Sequence, residues 1–142
     1  MQRSEVPLGS ITDVPGLRVG HHQRTGRGWQ TGTTVVFAPG GATPAVCVRG
    51  GGPGTRETDA LHPENLVEVI HAVCLTGGSA FGLSAADGAV GWLEEQRLGF
   101  PVGLPEDPIA VVPVVPSSVV FDVGRGGRFA NRPDASFGRR AI

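Results

Sequence analysis

The stretch Leu75-Thr76-Gly77-Gly78-Ser79-Ala80-Phe81-Gly82-Leu83 constrains the fold of this chain more than any other. It is an apolar strand that runs into a glycine turn and then into a helix. The run before it (Val67, Val69, Ile70, Ala72, Val73, Cys74, Leu75) is β-rich and nearly all apolar, as in a buried strand. After the turn, Leu83, Ala86, Val90 and Leu93 recur at spacings of three and four, which gives one apolar helical face. Ser84, Asp87, Gly91, Glu94 and Glu95 fall on the opposite face, so the spacing predicts a helix over Ser79–Gln96. Gly77 and Gly78 let the backbone turn sharply, and the Ser79 hydroxyl is placed to cap the helix. A junction of this kind is expected to aim free backbone N–H groups at a cleft, where an anion or a developing oxyanion would be held. The same turn also serves as a plain connector in many α/β proteins. It is not a nucleophile elbow, because Ser79 stands one place too early for G-x-S-x-G. It does not read as G-x-G-x-x-G either.

At 142 residues the chain fits one domain with a core of its own. Its 23 glycines and 12 prolines separate compact runs of Val, Ile, Leu and Ala, a turn-dense folded pattern and not a disordered one. The net charge of −1 gives no reason to expect nucleic acid or an anionic membrane as partner. Every basic side chain is arginine, and five of them (Arg125, Arg128, Arg132, Arg139, Arg140) face only Asp134 over Gly124–Ile142. That excess reads as a surface for solvent or an acidic partner segment and not as a phosphate site. Without Lys or Tyr there is no lysine base, no Schiff-base amine and no phenolic acid. Cys47 and Cys74 each lie in an apolar run and are expected to be buried free thiols. His21, His22, His62 and His71 lack metal-site spacing, so no metal and no cofactor is expected; His21-His22 reads as a solvated strand end. Met1–Ser10 is polar and no run has the length of a membrane span, so the expectation is a soluble, cytoplasmic protein.

Along the chain, Pro15-Gly16 reads as a turn before a short strand ending near His21. Thr33–Ala38 and Ala45–Arg49 read as strands close enough to form a hairpin. Gly50-Gly51-Gly52-Pro53-Gly54-Thr55-Arg56-Glu57-Thr58-Asp59 is a long glycine-rich loop, either functional or a mobile connector. His62–Leu66 suggests a helical turn and Val69–Leu75 a strand; after the helix comes Pro101–Pro108, then an extended segment, Ile109–Val123, broken by Pro113 and Pro116. Arg132-Pro133-Asp134 reads as a helix start. This order of elements indicates a layered α/β fold with more of the domain to follow.

These segments resemble the self-processing aminopeptidases of the DmpA/BapA type. That family takes in the L-aminopeptidase/D-esterases, the β-peptidyl aminopeptidases and the nylon-oligomer hydrolase. The resemblance rests on Ile11-Thr12-Asp13-Val14-Pro15-Gly16-Leu17-Arg18-Val19-Gly20-His21, on residues 49–59, on residues 75–88, on Val114–Asp122 and on Arg132-Pro133-Asp134, which occur in family order over essentially the whole chain. It implies an αββα sandwich like that of the N-terminal-nucleophile hydrolases. It implies a precursor that cuts itself to free a Ser or Thr nucleophile, which lies downstream of the residues matched here. Residues 1–142 would then be the N-terminal part of one domain, with no catalytic residue of their own. Their partners would be the remaining α segment and the β fragment of the same precursor, assembled as a homo-oligomer acting on a small peptide or amide. Gly77, Gly78, Ser79 and Phe81 would line the substrate cleft. Several family members carry an active-site tyrosine where this chain has Phe81, and the nylon-oligomer hydrolase has a lysine near the position of Ala135; both differences bear on substrate range. Three other readings stay open: an inactive scaffold, an anion- or small-molecule-binding module using Gly50–Gly54 and Gly77–Ser79, and a serine hydrolase built on Ser79 and His71.

Overall fold

In the computed structural model, residues 9–104 and 106–142 are described. The polar opening stretch lies outside them except for its last two residues, as does Pro105. Two long strands, β1 (Arg18–Gly26) and β2 (Trp29–Ala42), form an antiparallel hairpin. The other edge of β2 is taken by β4 (Ile70–Thr76), also antiparallel. β7 (Ser117–Val119) lies parallel to β4, and the short β3 (Thr55–Arg56) pairs with β7, giving the order β1-β2-β4-β7-β3. A parallel neighbour needs a long crossover. Here the crossover carries a 3-10 turn at Ser79–Ser84, helix α1 (Ala85–Glu95) and a separate hairpin of β5 (Phe100–Leu104) and β6 (Asp107–Val112). The described chain closes with α2 (Ala135–Ala141).

Alternation along the strands decides where the core sits. Thr33, Val35 and Phe37 of β2 face Thr76, Cys74 and Ala72 of β4 in register, and all six are buried. Against them pack Ala85, Ala86, Ala89 and Leu93 of α1, Phe137 and Ala141 of α2, and Val115. The other set of in-register pairs, Thr34 with Leu75 and Val36 with Val73, points to the opposite face, where Leu75 is 44% exposed. The sheet is therefore covered by helices on one side and by no helix on the other, where Val36 and Val73 are half-buried. The helices lie close because glycines form their crossing: a Cβ on Gly88 would overlap the Ala135 carbonyl oxygen, and one on Gly138 would overlap that of Ala85.

The mixed sheet with its helical layer bears out an α/β fold. The strand expected at Val69–Leu75 is β4, and Pro15-Gly16 is a turn with Gly16 at φ +90°. The helix start at residues 132–134 is also as expected, with the Asp134 carboxylate accepting the Ser136 N–H at 2.9 Å. Thr33–Ala38 is the middle of a longer strand. Residues 45–49 form no strand and no hairpin with it, because β1 and β4 already occupy both edges of β2. Cys47 on that segment is exposed, against expectation, whereas Cys74 is buried. The expected single helix begins as a 3-10 turn, and the helical turn expected at residues 62–66 falls earlier, at Asp59–Leu61. Residues 101–108, which carry no element signal in the sequence, fall mostly in the β5–β6 hairpin, and the extended segment expected from Ile109 begins inside β6. His21 and His22 are inside β1, and His22 packs edge-on against Phe137 with ring centroids 4.7 Å apart. Among the described residues no helix is long and apolar enough to cross a membrane, and no cluster of His, Cys, Asp or Glu has metal-site geometry.

Candidate functional site

β4 delivers the chain into the glycine corner, and the corner is fixed from three sides. Gly78 has φ +87° and Ser79 φ +52°, so the backbone reverses in the left-handed region, which Gly78 enters without strain. The Gly77 N–H donates to the Gly32 carbonyl at 2.9 Å and the Ser79 N–H to the Val120 carbonyl at 3.0 Å. Between them the Gly78 N–H donates to Asp122 Oδ1 at 2.6 Å, while Asp122 Oδ2 accepts the Thr31 hydroxyl at 2.6 Å. Position 77 must be glycine for this to work, because a Cβ there would overlap both the Asp122 carboxylate and the Thr31 hydroxyl. Gly82 is equally confined, against the Gly77 carbonyl.

The corner departs from expectation in two respects. The N–H groups of Gly77, Gly78 and Ser79 are all donated within the protein, so they are not free to cradle an anion. The Ser79 hydroxyl caps no helix: Gly78 holds the cap position of the 3-10 turn, and Ser79, itself left-handed, is the first residue inside it. The two glycine segments also stay apart. A cavity of about 620 Å³ between residues 42–55 and the β4–β7 side of the sheet is lined by Gly52 and Gly54 along with Cys47, Arg49, Val73 and Ser117, but not by Gly77, Gly78, Ser79 or Phe81.

Ser79 and His71 do not meet. His71 is the second residue of β4 and Ser79 lies beyond the far end of that strand. From His71 to Thr76 alone is about 16 Å at the usual strand rise, far outside hydrogen-bond reach. Burial lowers the His71 pKa from its ordinary value. Burial likewise pushes the Cys74 thiol up to about 11, against the opposing pull of the Ser117 hydrogen bond and Arg56. A thiol held protonated in this way is no nucleophile.

Phe81 is the outward member of the corner, 54% exposed. Its ring meets Phe129 edge-to-face at 6.3 Å between centroids. The Arg132 guanidinium lies 3.8 Å from the centre of the Phe81 ring and 5.8 Å from that of Phe129. The next residue, Pro133, packs on Gly78, where a Cβ would come within 2.9 Å of its Cδ. Thus β4, the segment after β7 and the approach to α2 converge on one spot, with a fixed polar underside at Asp122 and an apolar, cationic outer surface at Phe81 and Arg132. Spacing did not single out Thr31, Asp122, Phe129 or Arg132. Thr31 and Asp122 are 91 positions apart and are joined only by the fold. The available signal was that Asp122 and Arg132 each sit in a stretch that carries the family resemblance.

Comparison with known proteins agrees with that resemblance. An uncharacterised aminopeptidase of Mycobacterium tuberculosis (strain H37Rv) is 51% identical over 140 residues, which is 94% of this chain and 39% of the relative. One from Mycobacterium leprae is 51% identical over 138 residues, covering 93% of this chain and 36% of its own length. A 6-aminohexanoate-oligomer endohydrolase of Kocuria sp. (strain KY2) is 36% identical over 131 residues, covering 92% and 32%. The chain thus spans about two fifths or less of the length of these relatives. The family model for peptidase family S58 matches residues 9–136, nearly the whole described chain, and the chain belongs to that family.

Proposed function

We propose that this chain is the N-terminal part of an autoprocessing amide or peptide hydrolase, aminopeptidase-like, whose Ser or Thr nucleophile lies in the part of the protein that follows. The one-sided sheet is the observation that carries the reading. Its helix-covered face has a complete core, while on the other face Leu75 is exposed, Val36 and Val73 are only half-buried, and residues 42–55 overlie just the part beside Val73. An αββα sandwich needs a second sheet on that face, and the relatives have more than half of their length beyond the matched region to supply it. The partners are then the remaining α segment and the β fragment of the precursor, in a cytoplasmic homo-oligomer that takes small peptide or amide substrates. Gly77, Gly78, Ser79 and Phe81 line the cleft as a rigid wall. The wall positions the substrate, and the oxyanion is held elsewhere, because the amides of the turn are already bonded.

The full reading frame should therefore yield two fragments, the smaller beginning with Ser or Thr, and the processed protein should hydrolyse amino-acid amides or anilides. Intact mass and N-terminal sequencing test the first point. The 142-residue chain alone should give no turnover. Turnover by that chain, abolished in Ser79→Ala, would replace this reading with a self-contained hydrolase. A single uncut, inactive product from the full frame would leave the inactive scaffold.

A further inference from the structure

Arg132 stands apart from the arginines that have carboxylate partners. Arg56 pairs with Asp87 and Glu57, and Arg139 grips Glu95 through two hydrogen bonds of 2.8 and 2.9 Å. Arg132 makes no salt bridge among the described residues, and none of its N–H groups has a protein acceptor there. It is nonetheless held in place, half-buried, over the face of Phe81 and near Phe129, beside a corner locked by Asp122 and Pro133. A ring contact fixes the guanidinium without using its in-plane donors. What remains is a planar fork, close to the glycine corner, with its hydrogen-bonding edge unused.

We infer that Arg132 is the specificity-determining residue for a free carboxylate on the substrate. The chain would select short amides that end in an acid over the same amides with a neutral end. The inference rests on the hydrolase reading above and narrows its substrate class. A guanidinium fork matches a carboxylate in two parallel N–H···O bonds, a geometry that a lone ammonium cannot offer. Phe81 contributes to the same selection, since it keeps one face of the fork away from water and leaves the pairing less screened. With no phenolic hydroxyl at position 81 there is also no oxygen on that ring to compete for the donors.

The test is steady-state kinetics of the full-length, processed enzyme on a dipeptide and on the same dipeptide amidated at its C-terminus. The wild type is expected to prefer the acid in kcat/KM by about tenfold or more, carried mainly by KM, as charge-assisted hydrogen bonds imply. Arg132→Gln should bring that ratio close to one, and Arg132→Lys should restore only part of it. Melting curves of both variants identify any loss of fold. A wild-type ratio near one, or an equal loss on acid and amide in Arg132→Gln with the ratio kept, would overturn the assignment. If the wild type cleaves neither peptide, the hydrolase reading fails, and calorimetric binding of the two uncut peptides then decides Arg132 by itself. Acid-selective binding abolished in Arg132→Gln supports the assignment, and equal binding of acid and amide overturns it.

Discussion

Asp122 shows how much of the corner is decided by one side chain far away in sequence. Both of its oxygens are engaged, one by the buried backbone at Gly78 and one by Thr31. Asp122→Ala should leave the Gly78 N–H without an acceptor and cost about 1–3 kcal/mol, the usual penalty for an orphaned buried donor. Asp122→Asn keeps an acceptor for Gly78 and should cost less, so the two melting temperatures should fall in that order. Phe81 calls for the opposite expectation. Its ring is more than half exposed, so the added hydroxyl of Phe81→Tyr can reach water, and the melting temperature should hardly move. If the ring lines the cleft, kcat/KM of the full enzyme should change. A large loss of stability with unchanged kinetics would take Phe81 out of the site. The glycines of this corner were legible in the sequence because a strand-to-helix reversal requires them. Asp122 and Arg132 were not, since no local period links residues that meet only through β-sheet pairing and the α2 approach.

At the level of elements, α1 tests how far pattern reading goes. The spacing of Leu83, Ala86, Val90 and Leu93 located the helix, yet Ala85, Gly88 and Ala89 are buried as well. The pattern marks one apolar stripe, whereas α1 is covered on two sides, by the sheet and by α2, and small residues make the second contact. Two glycine substitutions in this one helix should therefore have opposite signs. Gly91 has nothing within 4 Å of where a Cβ would stand, so Gly91→Ala should gain up to about 1 kcal/mol from helix propensity. Gly88→Ala drives a methyl into the Ala135 carbonyl and should cost about 1–3 kcal/mol by forcing the helices apart. Chemical denaturation of the two variants checks both signs. Residues 45–49 teach the complementary lesson. Their continuous apolar run, Ala45–Val48, is that of a strand, but a strand also needs a vacant edge, and the register of β1, β2 and β4 leaves none on β2.

For the molecule as a whole, the open face of the sheet sets the behaviour in solution. Leu75 is 44% exposed there, and Leu104, Ile109 and Val112 of the β5–β6 hairpin are 64%, 76% and 54% exposed. Apolar surface of this extent invites association. The isolated 142-residue chain is expected to aggregate or to melt without a sharp transition, as judged by light scattering and calorimetry. A monodisperse monomer with one cooperative melt would show that these residues close their core alone. The α/β class was readable from the order of strand and helix signals, while the one-sidedness of the sheet was not, because Val36, Val73 and Leu75 look in sequence like any other core residues.

The placement of β3 has a consequence for how the chain assembles during synthesis. β1, β2 and β4 are joined edge to edge in chain order and can pair as soon as residue 76 is made. β3 precedes β4 in the chain, yet its neighbour in the sheet is β7, so Thr55 and Arg56 have no strand to pair with until Ser117 and Ser118 have been added, and only the Arg56–Asp87 ion pair can form earlier. For that interval the glycine-rich segment before β3 is tethered at both ends but unanchored in the middle, and loop closure over this distance is slow compared with local pairing. A ribosome pausing between α1 and β7 would expose that segment to proteases longer than any other part of the sheet.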